Sequence, residues 1–265
     1  MAGIALTIAG SDSSGGAGIQ ADLKTFCAFG VYGASVITAL TAQNTQGVSG
    51  IVELPPEFVG AQYDAVVSDL DVGAAKTGML AESAIIDVVA QRLRAHPLPW
   101  VIVDPVMVAT SGDVLLHRAA VDSMRATILP LASLVTPNMR EAEVLTGNSV
   151  RNPAQMREAA QALVAMGAHA ALVKGGHLEG DEALDIFYDG RAVREFRAPR
   201  VSRAAIHGAG CTLSAAIAAC LARGDELFEA IGAAKRFVTR AIESAPPLGH
   251  GATPLNHLLR ETPSN

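Results

Sequence analysis

The sequence predicts an α/β fold in which a mostly parallel sheet carries helices on both faces, a three-layer αβα sandwich. Short apolar segments rich in β-branched residues alternate with longer amphipathic segments, as in strand–helix–strand units. Proline and glycine mark several boundaries, as where Pro55 and Pro56 open a helix. Late in the chain, Asp189-Gly190 separates two strand-like segments. That dipeptide favours a hairpin, which adds an antiparallel element near the C-terminal edge of the sheet.

The individual elements follow from this alternation. Strands are predicted at residues 5–9, 33–40, 72–77, 101–104, 133–136, 170–174, 183–188 and 192–196, where short apolar runs end at turn residues. Helices are predicted at residues 18–29, 55–70, 82–95, 117–129, 137–145, 153–166, 210–222 and 226–244. The sequence contains no linker, low-complexity stretch or repeat of fixed period, so we expect one domain over residues 1–265.

The composition limits the classes of partner. Half of the 265 residues are hydrophobic, and the net charge is −6 without any basic run. We therefore expect neither nucleic acid nor a membrane surface as a partner, and no apolar run reaches the roughly 18 residues that span a bilayer. The apolar N-terminus lacks a basic start and is typical of a buried first strand rather than a signal peptide. Three cysteines without a zinc pattern favour a reducing compartment, so a cytoplasmic location is expected.

Candidate functional residues follow several of the predicted strands. Segment 10–18 follows the first strand, Asp104 ends the fourth, Asn138 follows the fifth and Lys174 ends the sixth. In such sheets ligands bind beyond the carboxyl ends of the strands, so these features are predicted to converge on one site. The glycines of segment 10–18 have neither the ending of a P-loop nor the spacing of a dinucleotide fingerprint.

The segment 206–216 combines a small, flexible turn with the start of an apolar helix. The backbone N–H groups of Gly208, Ala209, Gly210 and Cys211 can bind an anion there, and the glycines allow a phosphate to approach closely. The Cys211 thiol is expected to gain thiolate character from the helix dipole, which would let it act as a base. An ordinary helix start with a buried cysteine is the alternative.

Asp104, Asn138, Glu141 and Lys174 form a second candidate group. The oxygen atoms of the first three are of the type that Mg²⁺ prefers, and their spacing places Asn138 and Glu141 on one helix face. The Lys174 ammonium can reach nucleotide phosphates as a point charge. The alternatives are helix capping for Asn138 and Glu141 and a simple strand-end lysine for Lys174.

Several polar residues are left without a predicted role in the chemistry. His177 and His207 have no acid beside them in the sequence, so neither is assigned as a general base. Asp22, on the first helix, is expected to complement the helix dipole outside the site. Cys27 and Cys220 are expected to pack in the core.

The joint pattern of segments resembles the ribokinase-like kinases. The run Gly-Ala-Gly-Cys at 208–211 is similar to their anion-binding turn, and cysteine there resembles the branch containing the hydroxymethylpyrimidine/phosphomethylpyrimidine kinases of thiamine biosynthesis. Segments 5–26, 36–45, 76–80, 104–107, 136–138 and 174–177, with Glu141, match that branch in order, so the resemblance covers nearly the whole chain. Two departures are Ala209, where threonine is common, and Ala-Ile at 205–206 in place of a more polar pair.

The resemblance implies a role for each candidate residue. Gly10, Asp12, Ala17, Gln43, Met79 and Val106 would line the pocket of the alcohol substrate, with the Gln43 carboxamide on an aminopyrimidine ring. Gly208, Ala209 and Gly210 would hold the transferring phosphoryl group, and Cys211 would accept or orient the hydroxyl proton. Lys174, Asn138 and Glu141 would bind ATP, while Asp104 and Glu141 would serve Mg²⁺ through water. The alternatives are core packing for Met79 and Val106 and a sheet-end position for Gln43.

The implied reaction moves the γ-phosphoryl group of ATP onto the hydroxymethyl group of 4-amino-5-hydroxymethyl-2-methylpyrimidine. A second transfer onto the monophosphate would give the pyrophosphate. A pyridoxal or pyridoxine kinase is the alternative, because it shares the fold, the cysteine and a hydroxymethyl acceptor. A non-catalytic ligand-binding protein on a degenerate kinase fold is the alternative from another class. We expect the partners to be these small molecules and the chain to form a homo-oligomer, as a dimer.

Overall fold

The computed structural model describes residues 3–107, 118–176, 178–201 and 206–261, and its central element is a nine-stranded sheet. The strands are β1 (Ile4–Asp12), β2 (Tyr32–Asn44), β3 (Gly47–Glu53), β4 (Ala74–Thr77), β5 (Trp100–Val103), β6 (Leu134–Val135), β7 (Ala171–Lys174), β8 (Glu182–Tyr188) and β9 (Val193–Pro199). Their order in the described sheet is β3-β2-β1-β4-β5-β6-β7-β8-β9.

Helices pack on both faces of this sheet. They are α1 (Gly18–Ala28), α2 (Pro56–Val67), α3 (Ser83–Ala95), α4 (Arg118–Ser123), α5 (Met139–Thr146), α6 (Pro153–Ala165), α7 (Ala209–Ala222) and α8 (Leu227–Glu243). A π-helical turn, Met124–Ile128, and a 3-10 turn, Leu129–Leu131, continue α4. The predicted start of this helix, His117, lies outside the described residues. No helix in the described ranges is long and apolar enough to cross a membrane.

The middle of the sheet is parallel and its edges are antiparallel. Strands β2, β1, β4, β5, β6 and β7 pair in parallel, whereas β8 and β9 form the antiparallel edge next to β7. The predicted hairpin turn is present, with Gly190 at φ +84° and the Asp189 carboxylate accepting from two backbone N–H groups. The sequence-based fold class is therefore confirmed.

The opposite edge of the sheet differs from the prediction. Strand β3 was not predicted, and it pairs antiparallel with the far half of β2. This pairing extends β2 to Asn44, so Gln43 lies within a strand rather than after one. Strand β1 is also longer than predicted, and Gly10 and Asp12 belong to it rather than to the following turn. Small and polar residues make up these extensions, and such a composition is equally typical of loops.

Two hydrophobic cores lie on the two faces of the sheet. In β1, Leu6 and Ile8 point into the core beneath α2, α3, α5 and α6, while Ala5 points into the core beneath α1, α7 and α8. This alternation follows from the period of two along a strand. Both cores are well filled, and α7 is buried along almost its whole length between the sheet and α8. The sheet therefore fixes the strand ends from which the candidate residues project.

Candidate active site

A cavity of about 830 Å³ lies at the carboxyl ends of the parallel strands. Every residue that the sequence predicted for the site lines it. These residues are Gly10, Asp12, Ala17, Gln43, Met79, Asp104, Val106, Asn138, Glu141, Lys174, Gly208, Ala209, Gly210 and Cys211. The predicted convergence of strand ends is therefore found in the structure, although lining a cavity does not by itself assign a role to any residue.

The turn into α7 adopts a shape that requires glycine. Gly208 has φ +88°, in the left-handed region, and caps α7 without any side-chain cap. A Cβ at this position would lie 1.9 Å from the Gly16 carbonyl oxygen, so no larger residue fits. The residues at the start of α7 line the cavity, and no described side chain caps this end of the helix, so its backbone N–H groups are available to an anion.

Lys174 places a positive charge beside this turn. Its ammonium lies 2.8 Å from an oxygen of Asp104 and 3.2 Å from where a Cβ on Gly210 would stand. Burial opposes the charge, but Asp104 and Glu141 outweigh it and raise the pKa of Lys174. The second Asp104 oxygen accepts from the Ser214 hydroxyl at 3.2 Å. Lys174 is therefore a charged ammonium, held next to the anion-binding turn.

The Cys211 thiol does not behave as the sequence predicted. Burial raises the pKa of Cys211 to about 11, although the charge of Lys76 and a hydrogen bond from the Gly18 backbone act in the opposite direction. The thiol is thus protonated at neutral pH, and the expectation of thiolate character from the helix dipole is wrong. Removing a thiolate from water costs more free energy than its interaction with the dipole of one helix end recovers.

Asn138 and Glu141 form the start of α5. The Asn138 side chain accepts from the Glu141 backbone N–H at 3.0 Å, and the Glu141 carboxylate accepts from the Asn138 N–H at 2.7 Å. This is a reciprocal capping box, so the capping alternative is present in the structure. Burial raises the pKa of Glu141 to about 7, against the charge of Lys174.

The donor set in this part of the cavity suits a hydrated magnesium ion. Within the described ranges there is no group of three or more His, Cys, Asp or Glu side chains that could hold a metal ion directly. Asp104 and Glu141 already accept hydrogen bonds from Lys174, Ser214 and Asn138. Mg²⁺ keeps several waters and often binds through phosphate oxygens, so carboxylates reached through water fit it.

Asp12 organises the turn between β1 and α1. Its carboxylate accepts from the backbone N–H groups of Ser14, Gly16 and Ala17 at 2.8 to 3.0 Å. Although burial acts in the opposite direction, hydrogen bonds from His207 and from this turn lower the pKa of Asp12 to about 2. Asp12 is therefore a carboxylate at any physiological pH, and it fixes one wall of the cavity.

His207 faces an acid that the sequence did not reveal. Its Nε2 lies 3.0 Å from Asp12 and 3.1 Å from the carboxamide of Gln43. The statement that no acid orients His207 holds for neighbours in the sequence but is wrong for the folded chain. No local pattern could have identified this contact, because Asp12 is 195 residues away. The other histidine considered, His177, lies outside the described residues.

A buried ion pair lies below the centre of the cavity. Lys76, which lines the cavity, contacts both carboxylate oxygens of Asp22 at 3.0 and 3.1 Å, and neither side chain is exposed. Thr7 donates to the same carboxylate at 2.6 Å. The prediction that Asp22 complements the helix dipole is therefore wrong, because its partner is Lys76. A lysine inside the apolar segment 72–77 was the available signal.

The other end of the cavity is lined by residues of β8 and α8. Val238, Thr239 and Ile242 of α8 supply a largely apolar wall, which suits a flat ring such as adenine. Below it, Lys235 is 2.6 Å from Asp185, whose other oxygen accepts from the Gly175 N–H at 3.0 Å. This pair links α8 to the residue that follows Lys174. None of these residues was identifiable from the sequence.

The C-terminal segment supports both sides of the site. Strand β11 (Thr253–Pro254) pairs in parallel with β10 (Ile206–His207), just before the anion-binding turn. The Ala252 N–H donates to the Thr45 carbonyl at 2.7 Å, next to the end of β2. Further along, His257 Nε2 is 2.9 Å from the Thr212 hydroxyl in the first turn of α7. This segment therefore connects the strand that carries Gln43 to the start of α7.

Comparisons with known proteins agree on one family. The family model for phosphomethylpyrimidine kinase matches residues 12–256. A hydroxymethylpyrimidine/phosphomethylpyrimidine kinase from Rhizobium meliloti is 54% identical over 98% of this chain and 98% of its own length. A thiamine biosynthesis bifunctional protein from Geobacter sulfurreducens is 53% identical over 97% of this chain, which spans about half (52%) of that relative. Among solved structures, an ADP complex of Bacillus subtilis pyridoxal kinase has a TM-score of 0.90, at 38% identity, with 97% of this chain and 98% of that chain covered.

Proposed function

The chain belongs to the phosphomethylpyrimidine kinase family, and on that basis we propose that it phosphorylates 4-amino-5-hydroxymethyl-2-methylpyrimidine with ATP. A second transfer to the monophosphate gives the pyrophosphate. The observation that carries this proposal is that the Lys174 ammonium, the turn at 208–211 and the Gln43 carboxamide all line one cavity. Phosphoryl transfer needs positioning and charge neutralisation more than covalent chemistry, and these groups supply both.

The phosphoryl group is held by the start of α7. Backbone N–H groups of Gly208 to Cys211 bind its oxygens, and Lys174 offsets their negative charge. Asp104 keeps the Lys174 ammonium beside Gly210, where the group must pass. A site arranged in advance in this way needs little reorganisation during the reaction.

Magnesium fits the phosphate end of the cavity. Asp104 and Glu141 would hold it through water, with Asn138 nearby at the start of α5. When bound, Mg²⁺ neutralises charge on the β- and γ-phosphates. ATP use is supported by the family and by the ADP complex of the structural neighbour.

Cys211 orients the substrate hydroxyl. Because its pKa is raised to about 11, the thiol carries its proton and is not the resting base. A loose transition state demands little deprotonation of the attacking hydroxyl before the phosphoryl group arrives, so the hydroxyl proton can pass to an oxygen of the transferred phosphoryl group as the new O–P bond forms and the bond to ADP breaks. Of the two roles considered for Cys211, orienting the hydroxyl is therefore the one that the pKa supports.

The substrate ring lies at the Gln43 end. Met79 forms part of the wall there and packs closely on Gly10, with its sulfur 3.2 Å from where a Cβ on Gly10 would stand. Val106 and Ala17 line the same cavity and supply apolar surface. In this proposal the polar edge of the ring meets Gln43. The adenine ring of ATP lies against Val238, Thr239 and Ile242 at the opposite end.

The test is mass spectrometry of the aminopyrimidine alcohol after incubation with the purified chain and Mg-ATP. We expect the mass to rise by one and then by two phosphoryl groups. Binding of the alcohol without any ATP consumption would favour the non-catalytic alternative. One added group only would limit the proposal to the first transfer.

A pyridoxal kinase is the second candidate, because the structural neighbour with a TM-score of 0.90 carries that name. Parallel kinetics with pyridoxal and the aminopyrimidine alcohol distinguish the two, and a higher kcat/KM for pyridoxal would overturn the first choice. A single domain over residues 1–265, a homodimer and a cytoplasmic location stay predictions. Light scattering of the purified chain tests the dimer.

A further inference from the structure

The orientation of the Gln43 side chain decides which groups it offers to a ligand. A carboxamide has two donor hydrogens on nitrogen and two acceptor lone pairs on oxygen, and a half-turn about its terminal bond exchanges them with little movement of the heavy atoms. In the structure Nε2 lies 3.1 Å from His207 Nε2, and Oε1 lies 3.1 Å from the Thr41 hydroxyl oxygen. The hydrogen-bond chemistry of these two contacts requires the opposite assignment of the two atoms, with the oxygen toward His207 and the nitrogen toward Thr41.

The backbone of Gln43 is already fixed. The Ser13 hydroxyl accepts from the Gln43 N–H at 2.8 Å and donates to the Gln43 carbonyl at 2.7 Å. The residue also sits at an irregularity in the pairing of β2 with β3, between Ala42 and Gln43. Only the side-chain orientation is left for other contacts to set.

The contact with Thr41 requires a donor from Gln43. The Thr41 hydroxyl has one hydrogen, and the Ser11 carbonyl oxygen, 2.9 Å away, can only accept it. The Thr41 oxygen is then left with lone pairs toward Gln43. The Gln43 atom that faces Thr41 must therefore be the NH₂ group.

The contact with His207 requires an acceptor from Gln43. His207 Nε2 lies 3.0 Å from Asp12, which is a carboxylate and can only accept, so this nitrogen carries a hydrogen. An NH₂ group on Gln43 would place two donors against each other at 3.1 Å. The Gln43 atom that faces His207 must therefore be the carbonyl oxygen, which agrees with the argument from Thr41.

We propose that Asp12 and His207 act together as a positioning pair, which holds the Gln43 carboxamide with its oxygen toward His207 and its NH₂ group toward Thr41. This inference rests on the proposed function for its ligand, an aminopyrimidine. One donor hydrogen and one oxygen lone pair are not used by these two contacts. Together they match the amidine edge of a 4-aminopyrimidine, where a ring nitrogen accepts and the neighbouring amine donates.

The pair is built to keep this orientation. His207 is buried, and its ring packs so closely on the β1–α1 turn that a Cβ on Gly16 would lie 2.5 Å from its Cδ2. The hydrogen bonds that lower the pKa of Asp12 to about 2 come partly from that turn. Specificity for the ring therefore depends on a histidine that need not touch the substrate.

The orientation is tested first without any substrate. Neutron diffraction from deuterated crystals of the full chain locates the deuterium atoms of Gln43 and His207. We expect one deuterium on His207 Nε2, shared between Asp12 and the Gln43 oxygen that faces it, and the two amide deuteriums on the Gln43 atom that faces Thr41. Amide deuteriums on the atom that faces His207 would overturn the proposal, whatever the enzyme phosphorylates.

Calorimetry then measures what the orientation does for binding. The titrants are the aminopyrimidine alcohol and, separately, the ATP analogue AMP-PCP with Mg²⁺. We expect His207→Leu to weaken binding of the alcohol five- to tenfold and binding of AMP-PCP by less than twofold. The amide of His207→Gln can donate in place of Nε2, so this variant should bind both ligands within threefold of the wild-type affinity. Equal binding of the alcohol by His207→Leu and wild type would overturn the positioning role. If the wild type binds no alcohol, the proposed substrate fails, while the neutron map still decides the orientation.

Discussion

Lys76 and Lys174 line the same cavity but are held in different ways. Lys76 contacts both oxygens of Asp22, and neither side chain is exposed to solvent. Lys174 contacts one oxygen of Asp104 and keeps 13% of its side chain exposed, beside the turn that opens α7. Lys76 donates to both oxygens of Asp22 and is closed off from solvent, whereas Lys174 donates to one oxygen of Asp104 and keeps hydrogens for a ligand.

This difference distinguishes a lysine that stabilises the fold from one proposed to bind phosphate, although the two look alike in the sequence. Both lysines belong to or end short apolar segments, and burial opposes the charge of both. Only the set of partners distinguishes them. The predictions below test whether Lys76 serves mainly folding and Lys174 mainly turnover.

The largest expected effect is on stability when Lys76 is removed. Lys76→Met leaves the Asp22 carboxylate buried without its cation, which costs about 3–5 kcal/mol of unfolding free energy. Urea denaturation measures this loss, with Lys174→Met as the matched control, which should cost less because Asp104, unlike Asp22, lines the cavity and also accepts from Ser214. Adding Asp22→Leu to Lys76→Met is expected to recover most of the loss. Equal destabilisation by both single methionine variants would remove the distinction between the lysines.

The next effect is on turnover when Lys174 is removed. Lys174→Met deletes the charge beside the anion-binding turn, and we expect kcat to fall about 10²–10³-fold, as for other preorganised electrostatic groups. Steady-state kinetics measure this loss, and calorimetry should show unchanged affinity for the aminopyrimidine alcohol. A kcat within threefold of wild type would contradict the assignment of Lys174 to the phosphoryl group.

A third buried pair, Asp12 and His207, extends the comparison to acid stability. Because the folded pKa of Asp12 is about 2, below its usual 3.8, its contribution is present above pH 4 and is lost as the pH falls toward 2. We expect Asp12→Asn to remove about 1–2 kcal/mol at pH 6 and little at pH 2. Urea denaturation at the two pH values measures it. An equal loss at both would contradict the lowered pKa.

The smallest expected effect concerns Cys211, whose thiol is influenced by both lysines. With a pKa of about 11, the thiol should react slowly with iodoacetamide at pH 7, and the rate should still be rising at pH 10. Alkylation is followed in a Cys27→Ser background, because Cys27 is exposed; the core position expected for it is therefore wrong, whereas the one expected for Cys220 is confirmed. An alkylation rate that reaches its plateau below pH 8 would instead support the role of Cys211 as a thiolate base.

In the same account, Cys211→Ala is expected to lower kcat roughly tenfold, as for loss of one orienting hydrogen bond. The aminopyrimidine alcohol should still bind to this variant with nearly unchanged affinity. A kcat that falls close to the detection limit would indicate that Cys211 acts as a base. An unchanged kcat would show that Cys211 only packs.

The sequence predicted the strand ends well because hydrophobic periodicity and turn residues are local signals. The alternation of apolar segments located β4, β5, β7 and the helices within a few residues. It also placed Asp104, Asn138 and Lys174 where parallel strands end, and these three line the cavity together. Strand β3 escaped prediction because two glycines interrupt this short edge strand and its apolar residues do not alternate with polar ones.

Contacts between distant segments could not be predicted from the sequence. The partners of Asp22 and His207 lie 54 and 195 residues away, and only the assembled sheet brings them together. The ionisation of Cys211 was missed for a related reason, since the cost of burying a thiolate depends on packing that no short segment encodes. The apolar cavity wall formed by α8 likewise exists only when the folded chain brings α8 next to β8 and β9.

The most direct test of the central claim is a crystal structure of the chain with AMP-PCP, Mg²⁺ and the aminopyrimidine alcohol bound together. We expect the terminal phosphate about 2.9 Å from the Lys174 ammonium and within hydrogen-bonding reach of the N–H groups at 208–211, with the ring edge on Gln43. A terminal phosphate bound away from this turn, or a ring that does not reach Gln43, would contradict the account.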